Sequence, residues 1–107
     1  MPQPPVPAPR TRIEVHRHFE PIFAAYLTIQ KAHLQALERA LTAGDLATLH
    51  RLGHTIKGGA ATYELPPAAV LGARLEEAAS HGNLESAAAL VAALHDFFAR
   101  LDVTFVD

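Results

Sequence analysis

A histidine, a lysine and a glycine stand close together at His54, Lys57 and Gly58, in a segment whose periodicity predicts a helix. An imidazole that is mostly neutral near pH 7 offers a ring nitrogen that can attack phosphorus. A lysine one helical turn away can offset the negative charge that accumulates on the oxygens of a phosphoryl group in transfer. The backbone of a glycine lets the surface of another protein approach the imidazole. This spacing is therefore suited to transient phosphoryl carriage on His54.

The helix that carries these residues is predicted over residues 46–64. Its apolar stripe comprises Leu46, Leu49, Gly53, Ile56, Ala60 and Tyr63. At ~100° per residue, His54 lies away from this stripe and faces solvent. His50 and Arg51 precede His54 by about one turn, and no Asp or Glu occurs between the two ends of the stripe. The sequence therefore predicts an exposed imidazole within a locally positive surface.

Two consecutive glycines, Gly58 and Gly59, stand inside this predicted helix. A glycine in a helix interior costs up to ~1 kcal/mol relative to alanine, so the pair needs an explanation. The helix could end at Lys57 with Gly58 as its cap. The stripe stays in register beyond the glycines, however, so we expect the helix to continue and the bare backbone at Gly58 to give a partner access to His54.

The composition excludes several other classes of protein. The chain has no cysteine, which excludes a disulfide framework, thiol catalysis and thiolate zinc fingers. Nine Lys and Arg and eleven Asp and Glu give a formal charge of −2, without a basic excess that would bind nucleic acid. We find no Walker-type nucleotide loop and no apolar run of ~18 residues. We therefore expect a cytoplasmic phosphoryl carrier that is not an enzyme, needs no cofactor of its own and does not contact membranes.

The chain of 107 residues, half of them hydrophobic, has the size of one domain. Five of the first nine residues are proline, so residues 1–10 are predicted to form a flexible leader before a domain over 11–107. A capping-box pattern at Thr11-x-x-Glu14 predicts a short extra helix that ends near Glu20.

Four longer helices follow, at about 21–43, 46–64, 67–81 and 84–105. Gly44-Asp45 and Gly82-Asn83 provide helix stops and restarts, and Pro66 disfavours helix at the residue before it. The apolar stripe of the last helix continues to Phe105. Short connections predict that neighbouring helices run antiparallel. The expected fold is an all-α, antiparallel up-down four-helix bundle with a short N-terminal helix and without strands.

The segment from His54 to Ala60, His-Thr-Ile-Lys-Gly-Gly-Ala, resembles the H-x-x-K-G-x-A signature of histidine-containing phosphotransfer (HPt) domains. The stretches 49–53 and 71–76 also resemble the third and fourth helices of that family, and the similarity covers roughly residues 13–103. Gly59 departs from the pattern because many members carry serine there, and Gly53 departs because alanine is common there.

The resemblance implies that His54 is phosphorylated at its outward ring nitrogen and relays the group between aspartates of receiver domains. It implies that Lys57 assists by its charge, and that the receiver supplies Mg²⁺ and the acceptor carboxylate. The expected partners are response-regulator receiver domains, with a hybrid sensor histidine kinase as a further candidate. The expected contact surface comprises His50, Arg51, Gly58 and Ala61, on a chain that acts as a monomer.

Two other functions stay open from the residues alone. His50 and His54 are four residues apart, a spacing that can hold a metal ion on one helix face, although two ligands make a weak site. A helical interaction bundle without chemistry is the second alternative, although His54 and Lys57 are both present. The Glu76-Glu77 pair is interpreted as a solvated helix face rather than as a catalytic pair.

Overall fold

The computed structural model describes residues 9–107 and is mostly helical. Over these residues it has four α-helices, α1 (Glu20–Ala43), α2 (Leu46–Thr62), α3 (Pro66–Ser80) and α4 (Leu84–Arg100). It also has two strands, β1 (Thr11–His16) and β2 (Leu101–Val106), with a 3₁₀ turn at Arg17–Phe19 after β1. Four long helices are therefore confirmed. Residues 1–8 of the predicted leader lie outside the described residues.

The helix ends follow from local chemistry at the predicted breaks. Gly44 takes a left-handed conformation with φ 66° and ends α1. Gly82, just before α4, takes the same conformation with φ 70°. The backbone N–H of Thr48 donates a 3.1 Å hydrogen bond to Oδ1 of Asp45, which caps α2. Asn83 caps α4 in the same way. These caps keep the connections short.

The four helices surround one hydrophobic core. Helix α1 packs against α2 and α4, and α3 packs against α2 and α4. The largest fully buried side chains come from all four helices, from β1 and from the residue before α3: Val15, Leu37, Leu49, Ile56, Leu65, Leu75, Val91 and Leu94. The antiparallel up-and-down order of the helices stays a prediction. Within residues 9–107, no helix is both long enough and apolar enough to cross a membrane.

The predicted N-terminal helix is wrong, because β1 occupies most of that segment. Strand β1 pairs in parallel with β2, with Thr11 opposite Leu101 and His16 opposite Val106. Ile13 and Val15 pack on the core, while the alternate residues Arg12, Glu14 and His16 are exposed. This alternation with period two is the pattern of a strand with one buried face. The capping-box residues therefore lie in a strand and do not open a helix.

The predicted continuation of the last helix to residue 105 is also wrong, because α4 ends at Arg100. Leu101 and Phe105 are four residues apart, which is close to one helical turn and also equals two strand periods. The apolar stripe therefore could not distinguish a helix from a strand at this point. Val103, between them, also packs on the core, as only a strand allows.

An aromatic cluster joins β2 to the helices. The ring of Phe105 packs edge-on against Phe23 of α1, with 5.5 Å between centroids. Tyr26 of α1 stacks on Tyr63, which directly follows α2, with centroids 4.1 Å apart and planes 17° apart. The cluster therefore fixes the strand pair to α1 and to the C-terminal end of α2.

Candidate functional site

His54 lies on the solvent side of α2, and its side chain is 68% exposed. The buried side of α2 comprises Leu49, Leu52, Gly53, Ile56 and Ala60. The predicted stripe is therefore confirmed at four positions, with Leu52 added and with Leu46 and Tyr63 only partly buried. The predicted exposure of His54 is confirmed as well.

Glu76 of α3 is the hydrogen-bond partner of His54. Nδ1 of His54 lies 2.7 Å from Oε2 of Glu76. Burial raises the pKa of Glu76, but hydrogen bonds and charge from His54 and Lys57 lower it more, so its pKa falls below the ordinary 4.5. Because the ionised carboxylate can only accept, Nδ1 carries the proton and donates to Glu76. In the neutral ring, Nε2 is then the nitrogen with a free lone pair.

Lys57 contacts the same carboxylate from the next turn of α2. Its Nζ donates to Oε1 of Glu76 over 3.4 Å, and its side chain is 38% exposed. The structure thus brings His54 and Lys57 together through one acid that comes from a different helix. The predicted locally positive surface is wrong at this point, because the acid that balances it lies outside the α2 sequence.

Glu76 is the site residue that the sequence does not predict. Its side chain is only 23% exposed and it binds both bases, so it is not part of a solvated helix face. One spacing in the sequence could have indicated this contact: Gly72 precedes Glu76 by four residues, and Gly53 precedes Lys57 by four residues. Helices α2 and α3 cross with their backbones in contact at these two glycines. The repeated spacing therefore marks where the two charged side chains meet.

The predicted docking positions lie on the exposed side of α2. A Cβ built at Gly58 would meet nothing within 4 Å, so the backbone there is open to a partner. Helix α2 runs through Gly58 to Thr62, which confirms that the helix continues past the glycines. His50, Arg51 and Ala61 are exposed as well. Their contact with a partner stays a prediction.

Arg51 and Lys57 stand three residues before and three residues after His54, so they flank it on the surface of α2. Arg51 lines a surface cavity together with Ala36 and Arg39 of α1, so it lies toward α1. Glu76 reaches His54 from α3. The imidazole therefore has a basic neighbourhood on its α1 side and a carboxylate on its α3 side.

In the described part of the chain, no third metal ligand joins His50 and His54. Among residues 9–107, no group of three or more His, Asp or Glu side chains could hold a metal ion. That alternative rests on the spacing of His50 and His54 alone. The arrangement at His54 is instead suited to nucleophilic attack by Nε2, with the ring held at Nδ1.

A protein-family model for the Hpt domain matches residues 22–104, which is most of the chain. The match includes His54, Lys57, Gly58 and Glu76. No curated protein and no solved structure matches the chain significantly.

Proposed function

The chain belongs to the Hpt domain family, and on this premise we propose that it is a phosphorelay intermediate. It accepts a phosphoryl group on His54 from the aspartyl phosphate of one receiver domain and passes it to another. The family implies phosphotransfer in two-component signalling, by domains that carry the group and are generally not enzymes. The observation that carries the proposal for this chain is the hydrogen bond from Nδ1 of His54 to Glu76, on a ring that is otherwise exposed.

The hydrogen bond to Glu76 makes Nε2 the nucleophile. The lone pair of Nε2 attacks the phosphorus of the aspartyl phosphate, the N–P bond forms, and the P–O bond to the aspartate breaks. The electron pair of that bond leaves with the carboxylate of the receiver, so no proton has to be transferred during the step. The Nδ1 proton stays in its hydrogen bond, and the reverse sequence returns the group to a second aspartate.

Glu76 and Lys57 balance the charges that this step creates. Phosphorylation at Nε2 leaves a positive charge on a ring that is still protonated at Nδ1, and the carboxylate of Glu76 stabilises that charge at 2.7 Å. The contact of Lys57 with Glu76 is longer, at 3.4 Å, and its side chain is partly exposed. Nζ can therefore turn toward the phosphoryl oxygens while they pass between the two proteins.

The receiver docks on the exposed side of α2, over Gly58. The open backbone at Gly58 lies one turn from His54, and Ala61 and His50 extend the surface along the same helix. Arg51 provides a positive charge at its edge, toward α1. The resemblance assigns Mg²⁺ to the receiver, and a hybrid sensor histidine kinase is a second partner. The cytoplasmic location and the monomeric state stay predictions.

The test is transfer from a panel of receiver domains phosphorylated with labelled phosphate. We expect acid-labile, base-stable label on the wild-type chain and on His81→Gln, an exposed histidine at the end of α3 that serves as the control. His54→Gln should take no label while keeping its helical circular dichroism. Label on folded His54→Gln would contradict the assignment. Binding of a receiver without any labelling would favour the alternative of a plain interaction bundle.

A further inference from the structure

Helices α2 and α3 touch at two glycines that face each other's backbones. A Cβ added at Gly72 would lie 2.7 Å from the backbone N of Lys57 and 2.9 Å from the carbonyl O of Gly53. A Cβ added at Gly53 would lie 2.8 Å from the backbone N of Glu76 and 3.0 Å from the carbonyl O of Gly72. Both glycines are buried, and the atoms opposite them belong to helical backbone. The contact is therefore reciprocal.

The backbone that fills each glycine's space belongs to a residue of the site. Gly72 faces Lys57, and Gly53 faces Glu76. Lys57 and Glu76 each stand one turn after the glycine of their own helix, and helical side chains lean toward the N-terminus of the helix. Both charged side chains therefore extend back over the crossing point. His54, next to Gly53, lies beside the same point.

We propose that Gly53 and Gly72 are positioning residues for His54, because they bring α2 and α3 close enough for Glu76 to bind Nδ1. The two glycines thereby determine which ring nitrogen of His54 is left free. The importance of this role for phosphoryl transfer rests on the proposed function. The hydrogen bond itself is a property of the unphosphorylated chain. It can be measured whether or not the chain carries a phosphoryl group.

The distances explain why even a methyl group is too large at this crossing. Real Cβ atoms essentially never lie within 3.0 Å of such atoms, and helical backbone cannot move aside as the end of a side chain can. An alanine at either position therefore pushes the helices apart by roughly 0.7 Å, up to ordinary van der Waals separation. With the side chains carried along unchanged, the 2.7 Å hydrogen bond of His54 lengthens to about the distance of the weak 3.4 Å contact of Lys57.

The other two glycines inside helices, Gly58 and Gly59, do not pack against the backbone of another helix. A Cβ at Gly58 would meet nothing within 4 Å, and one at Gly59 would meet only the ring of Tyr26, at 3.6 Å, an ordinary contact. Gly59→Ala is therefore a matched control: it makes the same chemical change on the same helix, without a clash at the crossing.

The experiment measures the protonation of the two ring nitrogens of His54 by ¹⁵N NMR, above the pH at which imidazole titrates. We expect most wild-type molecules, and most Gly59→Ala molecules, to carry the proton on Nδ1. In Gly53→Ala and Gly72→Ala we expect this form to become the minority. The pKa of Glu76 should also rise toward its ordinary value in both variants, because its hydrogen bonds weaken.

A second substitution separates positioning from a general loss of stability. In a Glu76→Gln background the effect of Gly72→Ala on His54 should disappear, because the group through which Gly72 acts is already gone. Gly53→Ala keeps the proposal testable if Gly72→Ala does not fold, since its Cβ makes the milder clash, with a nearest approach of 2.8 Å against 2.7 Å at Gly72. A folded Gly53→Ala with the wild-type ring protonation would overturn the proposal.

The positioning role and the proposed function can fail separately. If Nδ1 is protonated as expected and responds to both glycines, but no receiver labels the chain, the positioning stands and the phosphorelay does not. If the chain is labelled at His54 but the protonation of the His54 ring is unchanged in both alanine variants, the phosphorelay stands and the positioning role does not.

Discussion

The carboxylate of Glu76 lies 2.7 Å from Nδ1 of His54, although the two residues are 22 positions apart and stand on different helices. The same carboxylate also accepts a hydrogen bond from Lys57. A single acid thus orients the imidazole and holds the lysine beside it. Hydrogen bonding at one ring nitrogen determines the chemistry available at the other, so Glu76 links the helix crossing to reactivity at Nε2.

Replacing Glu76 with Gln should slow phosphoryl transfer to His54 by about tenfold. The amide can accept from Nδ1 or donate to it, so it no longer selects the ring form with Nε2 free, and it cannot balance the charge of the phosphorylated ring. The measurement is the single-turnover rate from a phosphorylated receiver at saturating concentration. Glu77→Gln, the exposed neighbour on α3, is the matched control. Equal rates for the two variants would remove Glu76 from the mechanism.

Replacing Lys57 with Ala should also slow transfer, by about tenfold, because the charge that offsets the phosphoryl oxygens is lost. Stability should change little, because the ion pair is long and partly exposed. Lys31→Ala, at an exposed position on α1, makes the same change away from the site. Transfer rates and thermal unfolding midpoints of both variants provide the measurement. A wild-type rate in Lys57→Ala would show that the lysine has no role in transfer.

The lowered pKa of Glu76 predicts how stability responds to acid. A carboxyl whose pKa is lower in the folded state stabilises the fold above its unfolded pKa, near 4.5, and that contribution is lost as the pH falls through the lowered folded value. Urea unfolding between about pH 6 and pH 3 should therefore show a smaller loss of stability in Glu76→Gln than in the wild type. Identical slopes in the two proteins would mean that Glu76 is not held by His54 and Lys57 in solution.

The helices could be predicted from sequence because their boundaries depend on neighbouring residues. Gly44-Asp45 and Gly82-Asn83 end one helix and cap the next through contacts within a few residues. The strand pair could not be predicted in the same way, because β1 is paired with residues almost a whole chain length away. An isolated six-residue segment gives only a weak period-two signal, and Thr11-x-x-Glu14 also matches a helix start.

In the candidate site, too, the features set by neighbouring residues could be predicted and the contact between distant residues could not. The exposure of His54, its spacing to Lys57 and the open backbone at Gly58 all follow from the periodicity of one helix. The role of Glu76 depends on how α3 is rotated against α2, which is determined by the close crossing at Gly53 and Gly72. The sequence indicated that crossing only through the glycines that stand four residues before Lys57 and Glu76.

Replacing Gly58 should separate stability from docking. Because a Cβ there meets nothing, Gly58→Ala should raise the free energy of unfolding by about 0.5–1 kcal/mol through helix propensity alone. Gly58→Phe should remain folded but bind a receiver domain at least about tenfold more weakly, because its ring occupies the space beside His54. Urea unfolding and titration calorimetry measure the two effects. Unchanged affinity in Gly58→Phe would mean that the receiver docks elsewhere.

The buried hydroxyl of Tyr26 should reduce stability, so Tyr26→Phe should raise the free energy of unfolding by about 1 kcal/mol at neutral pH. Among the described residues this hydroxyl has no hydrogen-bond partner, and the ring that stacks on Tyr63 is retained in the variant. Tyr63→Phe is the control, because its partly buried hydroxyl is not among the buried polar atoms that lack a partner. Reduced stability in Tyr26→Phe would show that the hydroxyl is hydrogen-bonded in solution.

The buried hydroxyl of Tyr26 should also make the stability of the fold depend on pH in the alkaline range. Burial, and then the charge of Tyr63, raise the pKa of Tyr26 well above its ordinary value of 10.0. A group whose pKa is raised in the folded state favours the fold below its unfolded pKa, and this contribution is lost as the pH rises from there toward the folded value. Between about pH 9 and pH 11 the wild type should therefore lose stability more steeply than Tyr26→Phe in urea unfolding. Parallel curves would mean that Tyr26 ionises as readily in the folded chain as in the unfolded one.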